Sequence, residues 1–204
     1  MAIITSEREI LSAEKVKEWQ NFWKKHGIFR DFSGITQPKI QEENDALRLA
    51  VDFSRELLIP RGLTANSIIG ICQKRFPVWV APNPFRPAKL ISFRQNSRTA
   101  KCGSYVIKVR DRIEADEELP AHSGLLLEAK GILGITLVER LVYELKHFDE
   151  TGRHLDLMHL TYCAGSRNKY DAPTVNFNQR EVFIAYQAYC KCNFVDMRTR
   201  QVLA

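Results

Sequence analysis

The chain has 204 residues, of which 45% are hydrophobic and 26% are charged, and its formal net charge is +6 at pH 7. This length is enough to bury a hydrophobic core of ordinary size, so we expect one or two domains. No apolar run approaches the roughly 18 residues of a membrane span, and the N-terminal stretch "MAIITSEREILSAEK" is too polar for a signal peptide. These features exclude a membrane partner and favour a cytoplasmic protein, in which the five scattered cysteines are reduced.

Three helices are predicted in the first 76 residues. The first lies in "LSAEKVKEWQNFWKKHG", where Ser12 is a good N-cap and Gly27 can end the helix. A second is predicted in "NDALRLAVDFSRELLI" and ends before Pro60, because the residue before a proline avoids the α region. The third lies in "TANSIIGICQKRF", with Thr64 as its cap. We therefore expect residues 1–76 to form an N-terminal helical region.

The pattern changes to short strands at Pro77. The stretches "VWVAP", "KLISFRQ" and "SYVIKVR" are rich in β-branched or aromatic residues and are bounded by turn residues. We expect them to form a small antiparallel sheet at the start of a mixed domain spanning residues 77–204. The acidic connector "DRIEADEELPAHSG" follows, and we interpret its five carboxylates as a solvated helix start or an ion-paired face.

The clearest helix is predicted in "ITLVERLVYELKHFDETG". Thr136 and Glu139 have the spacing of a capping box, and Gly152 stands where the helix should end. One face carries an apolar stripe of Val138, Leu141, Val142, Leu145 and Phe148. Glu139 and Glu144 lie off that stripe, so we expect both to be exposed.

After residue 154 the apolar period returns to two. The stretches "LMHLTYCAG", "PTVNFN" and "REVFIAYQAYCK" are predicted strands, and "NQRE" is a plausible hairpin loop between the last two. The predicted fold class is therefore α+β, with N-terminal helices, a small antiparallel sheet, a central helix and C-terminal β-hairpins.

Positive charge is concentrated in residues 86–112. This segment has eight Lys or Arg against one Asp, 8 − 1 = +7. Interleaved with Phe93 and Tyr105, it can follow a phosphate backbone, or it can be the solvated face of two strands. Because no nucleic-acid-binding motif accompanies the charge, the second interpretation is favoured.

The sequence contains only weak indications of a metal site or a catalytic site. His147, His154, His159 and Cys163 bunch within 17 positions but match no zinc template, and the two thiols of Cys190 and Cys192 do not close a site. "AGSR" lacks the second glycine of a nucleophile elbow, and no phosphate-binding loop occurs. We therefore expect no enzyme activity, no metal and no cofactor.

The stretch "TYCAGSRNKYDAPTVNF", residues 161–177, is the predicted functional loop. Gly165 is expected to supply a backbone conformation open to few other residues, and Arg167 to bind a carboxylate or carbonyl. The polar and aromatic residues expected to contact a ligand are Asn168, Lys169, Tyr170, Asp171, Tyr186, Gln187 and Tyr189. They resemble a paratope, where aromatics supply area and polar groups supply adaptable hydrogen bonds. The alternative is that the tyrosines merely face one side of a strand.

Three blocks in a fixed order carry a resemblance to a known family. They are "SYVIKVRDRIEADEEL", "GITLVERLVYELKHFDETGRHLD" and "LTYCAGSR". Residues 104–167 thereby resemble a family of uncharacterised bacterial proteins from uncultured small-genome lineages. Some members are similar to the variable target proteins of diversity-generating retroelements. The resemblance implies a C-type-lectin-like C-terminal domain that displays variable Tyr, Asn, Asp and Ser residues to a ligand.

The match also assigns structural residues. Cys163, Gly165, Ser166 and Arg167 correspond to the family's Cys-x-Gly-Ser-Arg, and Met197, Arg198 and Arg200 correspond to its closing Leu-Arg-x-Arg. The chain departs from the family at three places: Ala172-Pro173 stands where Val-Pro is usual, Phe177 replaces a tryptophan, and "YQAYCKCNFVD" lacks an aromatic-x-Pro turn. The resemblance therefore implies a diverged member that is not diversified.

The function expected from the sequence is non-catalytic binding and display of a C-terminal loop and strand surface. The partner is an unknown protein or small ligand. The alternative is association with nucleic acid through residues 86–112.

Overall fold

The computed structural model describes residues 11–30, 32, 35, 52–82, 95–190 and 196–204. The helices are α1 Ala13–Lys25, α2 Ala65–Gln73, α3 Gly124–Ala129 and α4 Leu137–Thr151. The strands are β1 Arg55–Ile59, β2 Val78–Val80, β3 Gln95–Asn96, β4 Tyr105–Val109, β5 Leu160–Tyr162, β6 Ser166–Arg167, β7 Asp171–Phe177, β8 Val182–Ala188 and β9 Met197–Thr199. In this part of the chain, no helix has the length and apolar character needed to cross a membrane.

The predicted helix caps are confirmed. The Ser12 side chain accepts a hydrogen bond from the Lys15 amide at the start of α1, and Thr64 forms a capping box with Ser67 at the start of α2. At α4 the capping box joins Thr136 and Glu139, and Gly152 ends the helix with φ of 68°. These contacts satisfy amides that the first turn of a helix leaves without a partner.

Residues Arg55–Ile59 form a strand, so the helix predicted to run to Pro60 is wrong over this stretch. β1 pairs antiparallel with β4, with Arg55 opposite Val109 and Ile59 opposite Tyr105. Leu57, Leu58 and Ile59 are all fully buried, which a strand covered on both faces allows. A short apolar run of this kind does not distinguish helix from strand by its period. Residues 44–51 of the predicted helix lie outside the described residues.

The three strands predicted after Pro77 do not form one antiparallel sheet. β2 runs parallel to β8, β3 pairs with β6, and β4 pairs with β1. β2 is thereby the end strand of a five-stranded mixed sheet with the order β2-β8-β7-β5-β9. Residues 89–94 of "KLISFRQ" lie outside the described part of the chain. The partners come from distant positions, which the local pattern could not indicate.

The predicted hairpin loop "NQRE" is confirmed, because β7 and β8 pair antiparallel with Phe177 opposite Val182. The two faces of the five-stranded sheet pack against different clusters. Val175 and Ile184 belong to the main core with α1, β1, α2 and α4, whereas Ala172 and Tyr162 belong to a smaller cluster under α3. Side chains an odd number of positions apart on a strand point to opposite faces. The main core contains residues from both sides of the predicted boundary at 76 and 77.

A candidate binding loop and its buried support

The candidate loop leaves β5, passes through the short strand β6 and enters β7. β6 pairs with β3, placing Ser166 opposite Asn96 and Arg167 opposite Gln95. Ser166 is 1% exposed, and its hydroxyl accepts a 3.0 Å hydrogen bond from the Leu137 amide and donates one of 2.7 Å to the Asn96 side chain. The loop is therefore attached to the first turn of α4.

Gly165 is required for close approach and not for a positive φ, so the predicted reason is corrected. Its φ is not among the positive values of the chain. A Cβ atom at this position would lie 2.5 Å from the carbonyl oxygen of Gly134 and 2.9 Å from Oγ of Ser97. The Gly165 amide also donates a 3.0 Å hydrogen bond to the Ile135 carbonyl. Backbone packs directly on backbone here, which leaves no room for a side chain.

Arg167 binds a carboxylate, as predicted. Its Nη2 lies 3.3 Å from Oε1 of Glu128 in α3, and its guanidinium lies 4.5 Å from the ring centroid of Tyr189. Tyr189 donates a 2.9 Å hydrogen bond to the same Glu128 carboxylate. Burial, and then the neighbouring Glu128, raises the pKa of Tyr189 to about 12.

Tyr189 is buried, although the sequence predicted a ligand contact. It is 6% exposed and packs with Leu127 and Tyr162 in the smaller cluster. A Cβ atom on Gly124 would lie only 2.2 Å from its ring. Tyr189 therefore joins α3 to the end of β8, a packing role that the strand pattern does not reveal.

Asn168 is also buried, at 7% exposure, although the sequence predicted a ligand contact. Its Oδ1 accepts hydrogen bonds of 2.8 Å from the amides of both Tyr170 and Asp171. This is the geometry in which an asparagine side chain substitutes for backbone in a turn. The residue shapes the loop and is not displayed by it.

The turn leaves two side chains of the loop in solvent. Lys169 is exposed and Tyr170 is 63% exposed, with the Lys169 ammonium 5.2 Å from the ring centroid of Tyr170. Asp171 and the strand residues Tyr186 and Gln187 are half-buried. Because Tyr186 and Gln187 are consecutive in β8, they face opposite sides of the sheet. The seven predicted contact residues therefore do not form one continuous surface. Of the seven, only Lys169 and Tyr170 are exposed.

The sequence prediction missed a buried ionic cluster that joins α4, the segment before β5 and the C-terminal residues. Asp156 accepts hydrogen bonds from Arg140 at 2.9 Å and from Arg200 at 2.7 Å, and Arg140 also donates to Glu144 at 2.7 Å. All four side chains are at most 1% exposed. We call Arg140, Glu144, Asp156 and Arg200 the core ion cluster. Its formal charges cancel, two against two, which is what makes burial tolerable.

Both glutamates expected to be exposed on α4 are fully buried. Glu144 belongs to the core ion cluster, and Glu139 accepts hydrogen bonds from Arg98 at 2.8 Å and from Tyr105 at 3.0 Å. Burial alone would raise the pKa of Glu139, but the charge and hydrogen bonds of Arg98 outweigh burial and lower it. The same balance holds for Asp156, where Arg140 and Arg200 outweigh burial and lower its pKa. Both carboxylates are thus held in the charged form.

The grouped histidines and cysteine make different contacts. His154 lies 2.8 Å from Glu144, and His159 lies 3.1 Å from Glu114. Cys163 is fully buried, and burial raises the pKa of its thiol. Within the described ranges, no three His, Cys, Asp or Glu side chains are grouped as a metal site would require. Cys190 is exposed, and Cys192 lies outside these ranges.

In the described part of the basic segment, most of the cations are ion-paired. Of its five cationic side chains between residues 95 and 112, four pair with carboxylates: Arg98 with Glu139, Lys108 with Glu56, Arg110 with Asp116 and Arg112 with Glu118. The fifth, Lys101, is exposed. Arg86, Lys89 and Arg94 lie outside the described residues. The acidic connector supplies two of these partners, which confirms its ion-paired interpretation, although Asp116 is buried.

The closing arginines have different environments. Arg200 is 1% exposed and, besides Asp156, donates to the Ile113 carbonyl at 2.7 Å. Arg198 is half-buried in β9, at the edge of the sheet. Arg200 is thus structural in the sense predicted.

Comparison of this chain with known protein families, with curated proteins and with solved structures returned no match.

Proposed function

We propose that the protein is a non-catalytic binding protein whose contact residues are Lys169 and Tyr170. The observation that carries the proposal is the turn at Asn168, whose two 2.8 Å hydrogen bonds fix the backbone of Tyr170 while its ring is 63% exposed. An exposed aromatic ring on a preorganised loop loses little conformational entropy on binding. Lys169 adds a positive charge beside that ring.

The buried contacts around the loop support the same proposal. Ser166 and Gly165 attach it to the start of α4, and Arg167 attaches it to α3 through Glu128. The loop is thus supported from two directions while its tip faces solvent. A rigid support with an exposed tip is the usual arrangement of binding loops.

The absence of catalysis is part of the proposal. The buried thiols of Cys72 and Cys163 have raised pKa values because of burial, which disfavours the reactive thiolate. A C-type-lectin-like topology for the last 100 or so residues, and descent from retroelement target proteins, are also proposed. They are supported by the resemblance of residues 104–167 and are consistent with the mixed sheet.

A capture experiment with matched variants tests the proposal. Immobilised wild-type protein is compared with Lys169→Ala/Tyr170→Ser and with Arg180→Ala, a control in the exposed loop at the other end of the β7–β8 hairpin. We expect a ligand that is retained by the wild type and by Arg180→Ala but is lost from the double variant. Melting temperatures should agree among the three proteins, because all three altered side chains are exposed.

A third variant distinguishes the contribution of the two contact side chains from the contribution of the loop conformation. Asn168→Ala removes the acceptor of the turn without touching Lys169 or Tyr170, so it should weaken capture of the same ligand and lower the melting temperature. Retention of every captured ligand by the double variant would contradict the proposal.

A further inference from the structure

A second exposed surface lies at the opposite end of the β7–β8 hairpin. Trp79 of β2 is in register with Phe183 of β8, which in turn is opposite Asn176 of β7. Val78, Ile184 and Val175 point into or against the main core. Because neighbouring positions on a strand alternate, Trp79, Phe183 and Asn176 share the other face of the sheet. We call these three residues the outer aromatic row.

The two rings of the row form a parallel stack. Their centroids are 4.7 Å apart and their planes differ by 11°. This separation equals the usual distance between neighbouring strands, so the rings stand upright on the sheet and touch face to face. One face of Trp79 covers Phe183, and the other points beyond β2. Among the described strands, none pairs with β2 on that side, and the Trp79 side chain is 41% exposed.

Small side chains lie next to the row. Ala81 follows β2 and its amide bonds the Ile184 carbonyl at 2.8 Å, which places it level with Ala185 on the outer face. Both alanines are half-buried, as is Gln187 one further step along β8. Among the described residues, the small Ala81 and Ala185 therefore leave the row accessible to planar groups, and amides of Asn176 and Gln187 lie on the same face.

Positive charge accompanies the row at one end of the sheet. Because β2 and β8 are parallel, the segments that precede them lie at the same end. Those segments contain the exposed cations Lys74 and Arg180. Arg75 is paired with Asp149, and Glu181 beside Arg180 is half-buried. An exposed ring with an amide on the same face and two cations in the segments at one end of the sheet is complementary to unpaired bases on a phosphate chain.

We propose that the outer aromatic row binds single-stranded nucleic acid. A base stacks on the open face of Trp79, the side-chain amide of Asn176 is available to base edges, and Lys74 and Arg180 contact phosphates. This site uses neither residues 86–112 nor the Lys169–Tyr170 loop. The loop lies at the other end of a seven-residue strand, about 20 Å away at the usual rise per residue.

Tryptophan fluorescence offers a direct test. Of the three tryptophans, Trp19 and Trp23 are 3% and 0% exposed, so quenching by a stacked base reports on Trp79. Oligo(dT) and oligo(rU) of about ten nucleotides, long enough to cover a typical single-strand site, are titrated into the full chain. We expect saturable quenching that weakens as salt rises, and weaker binding of a duplex of the same length.

Variants assign the signal to the row. Trp79→Ala should lower affinity about 5- to 150-fold, the range for losing one stacked base, when binding is measured with a labelled oligonucleotide. Trp79→Phe should abolish quenching while affinity stays close to wild type, and Lys74→Ala/Arg180→Ala should reduce the salt dependence. Tyr170→Ser should bind as the wild type does, which separates this proposal from the function proposed above.

Three results would overturn the proposal. One is the lack of saturable quenching by either oligonucleotide. Another is unchanged affinity in both Trp79→Ala and Lys74→Ala/Arg180→Ala. The third is quenching by an extended aromatic peptide and not by oligonucleotides, which would mean that the edge of β2 accepts a strand instead. If Trp79→Ala is misfolded by circular dichroism, Trp79→Phe and the double lysine–arginine variant decide the outcome.

Discussion

Nη2 of Arg200 lies 2.7 Å from Oδ1 of Asp156, although the two residues are 44 positions apart and both are buried. Arg140 binds the other oxygen of the same carboxylate, so Asp156 is held between two guanidinium groups. Its φ of 55° is unusual for a residue other than glycine, although aspartate tolerates this region better than most. The core ion cluster thereby connects α4, the segment before β5 and the C-terminal residues.

Removal of Asp156 should be strongly destabilising. Asp156→Ala leaves the buried Arg140 and Arg200 with one carboxylate between them, and breaking a buried ion pair in this way costs about 3–5 kcal/mol. Glu118→Ala is the matched control. Glu118 forms an ion pair with Arg112, their side chains are 45% and 32% exposed respectively, and such exposed pairs contribute about 0–1 kcal/mol. Urea denaturation of both variants measures the difference. Equal midpoints would mean that the cluster contributes little.

Packing of α4 should outweigh its capping. Leu141 is fully buried, and Leu141→Ala should lower the free energy of unfolding by about 2–5 kcal/mol. Thr136→Ala removes the acceptor for the Glu139 amide and should cost about 1 kcal/mol. Thermal melts of the two variants provide the comparison. A neutral Leu141→Ala would be inconsistent with α4 as the central packing helix.

Gly165→Ala and Gly152→Ala distinguish two reasons why a position requires glycine, which are close backbone contact at Gly165 and a positive φ at Gly152. At Gly152 the φ of 68° is unfavourable for alanine but no atom lies within 4 Å of the added carbon, so the cost should be about 1 kcal/mol. At Gly165 the added carbon collides with backbone of the Gly134–Ile135 segment, which cannot move aside without disturbing the start of α4. We therefore expect the larger loss of stability from Gly165→Ala. The order of the two denaturation midpoints checks this.

Stability should fall in acid because of the buried carboxylates. The folded pKa of Glu139 is lowered, so its contribution is fully present above the unfolded pKa of about 4.3 and is lost as pH falls through the folded pKa. Glu139→Gln should be less stable than the wild type at pH 7, by an amount that is constant above about pH 5 and shrinks below about pH 4. Denaturation of both proteins from pH 7 to pH 3 measures this difference. If the difference in stability between the two proteins grew in acid, folding would not lower the pKa of Glu139.

Local features were predictable wherever the signal lies within a few consecutive residues. The capping box of Thr136 and Glu139 and the terminal Gly152 specify α4 at both ends. Each of these contacts joins groups only three or four residues apart in the chain. The "NQRE" hairpin and the cap of α1 at Ser12 are of the same kind. Arg167 was also correctly expected to bind a carboxylate, although its partner Glu128 was not identified.

Only the tertiary structure decided which charged and polar groups are buried. Apolar periodicity indicates which side chains avoid water, and on that basis Glu139 and Glu144 belong on the exposed face of α4. Their burial depends on Arg98 and Arg140, and Asn168 is buried because its own side chain completes a turn. The same holds for Arg55–Ile59, which is a strand because Tyr105–Val109 lies beside it. Burying a charge is favourable only when its partner is in place, and partners that lie tens of residues away are brought together by the fold.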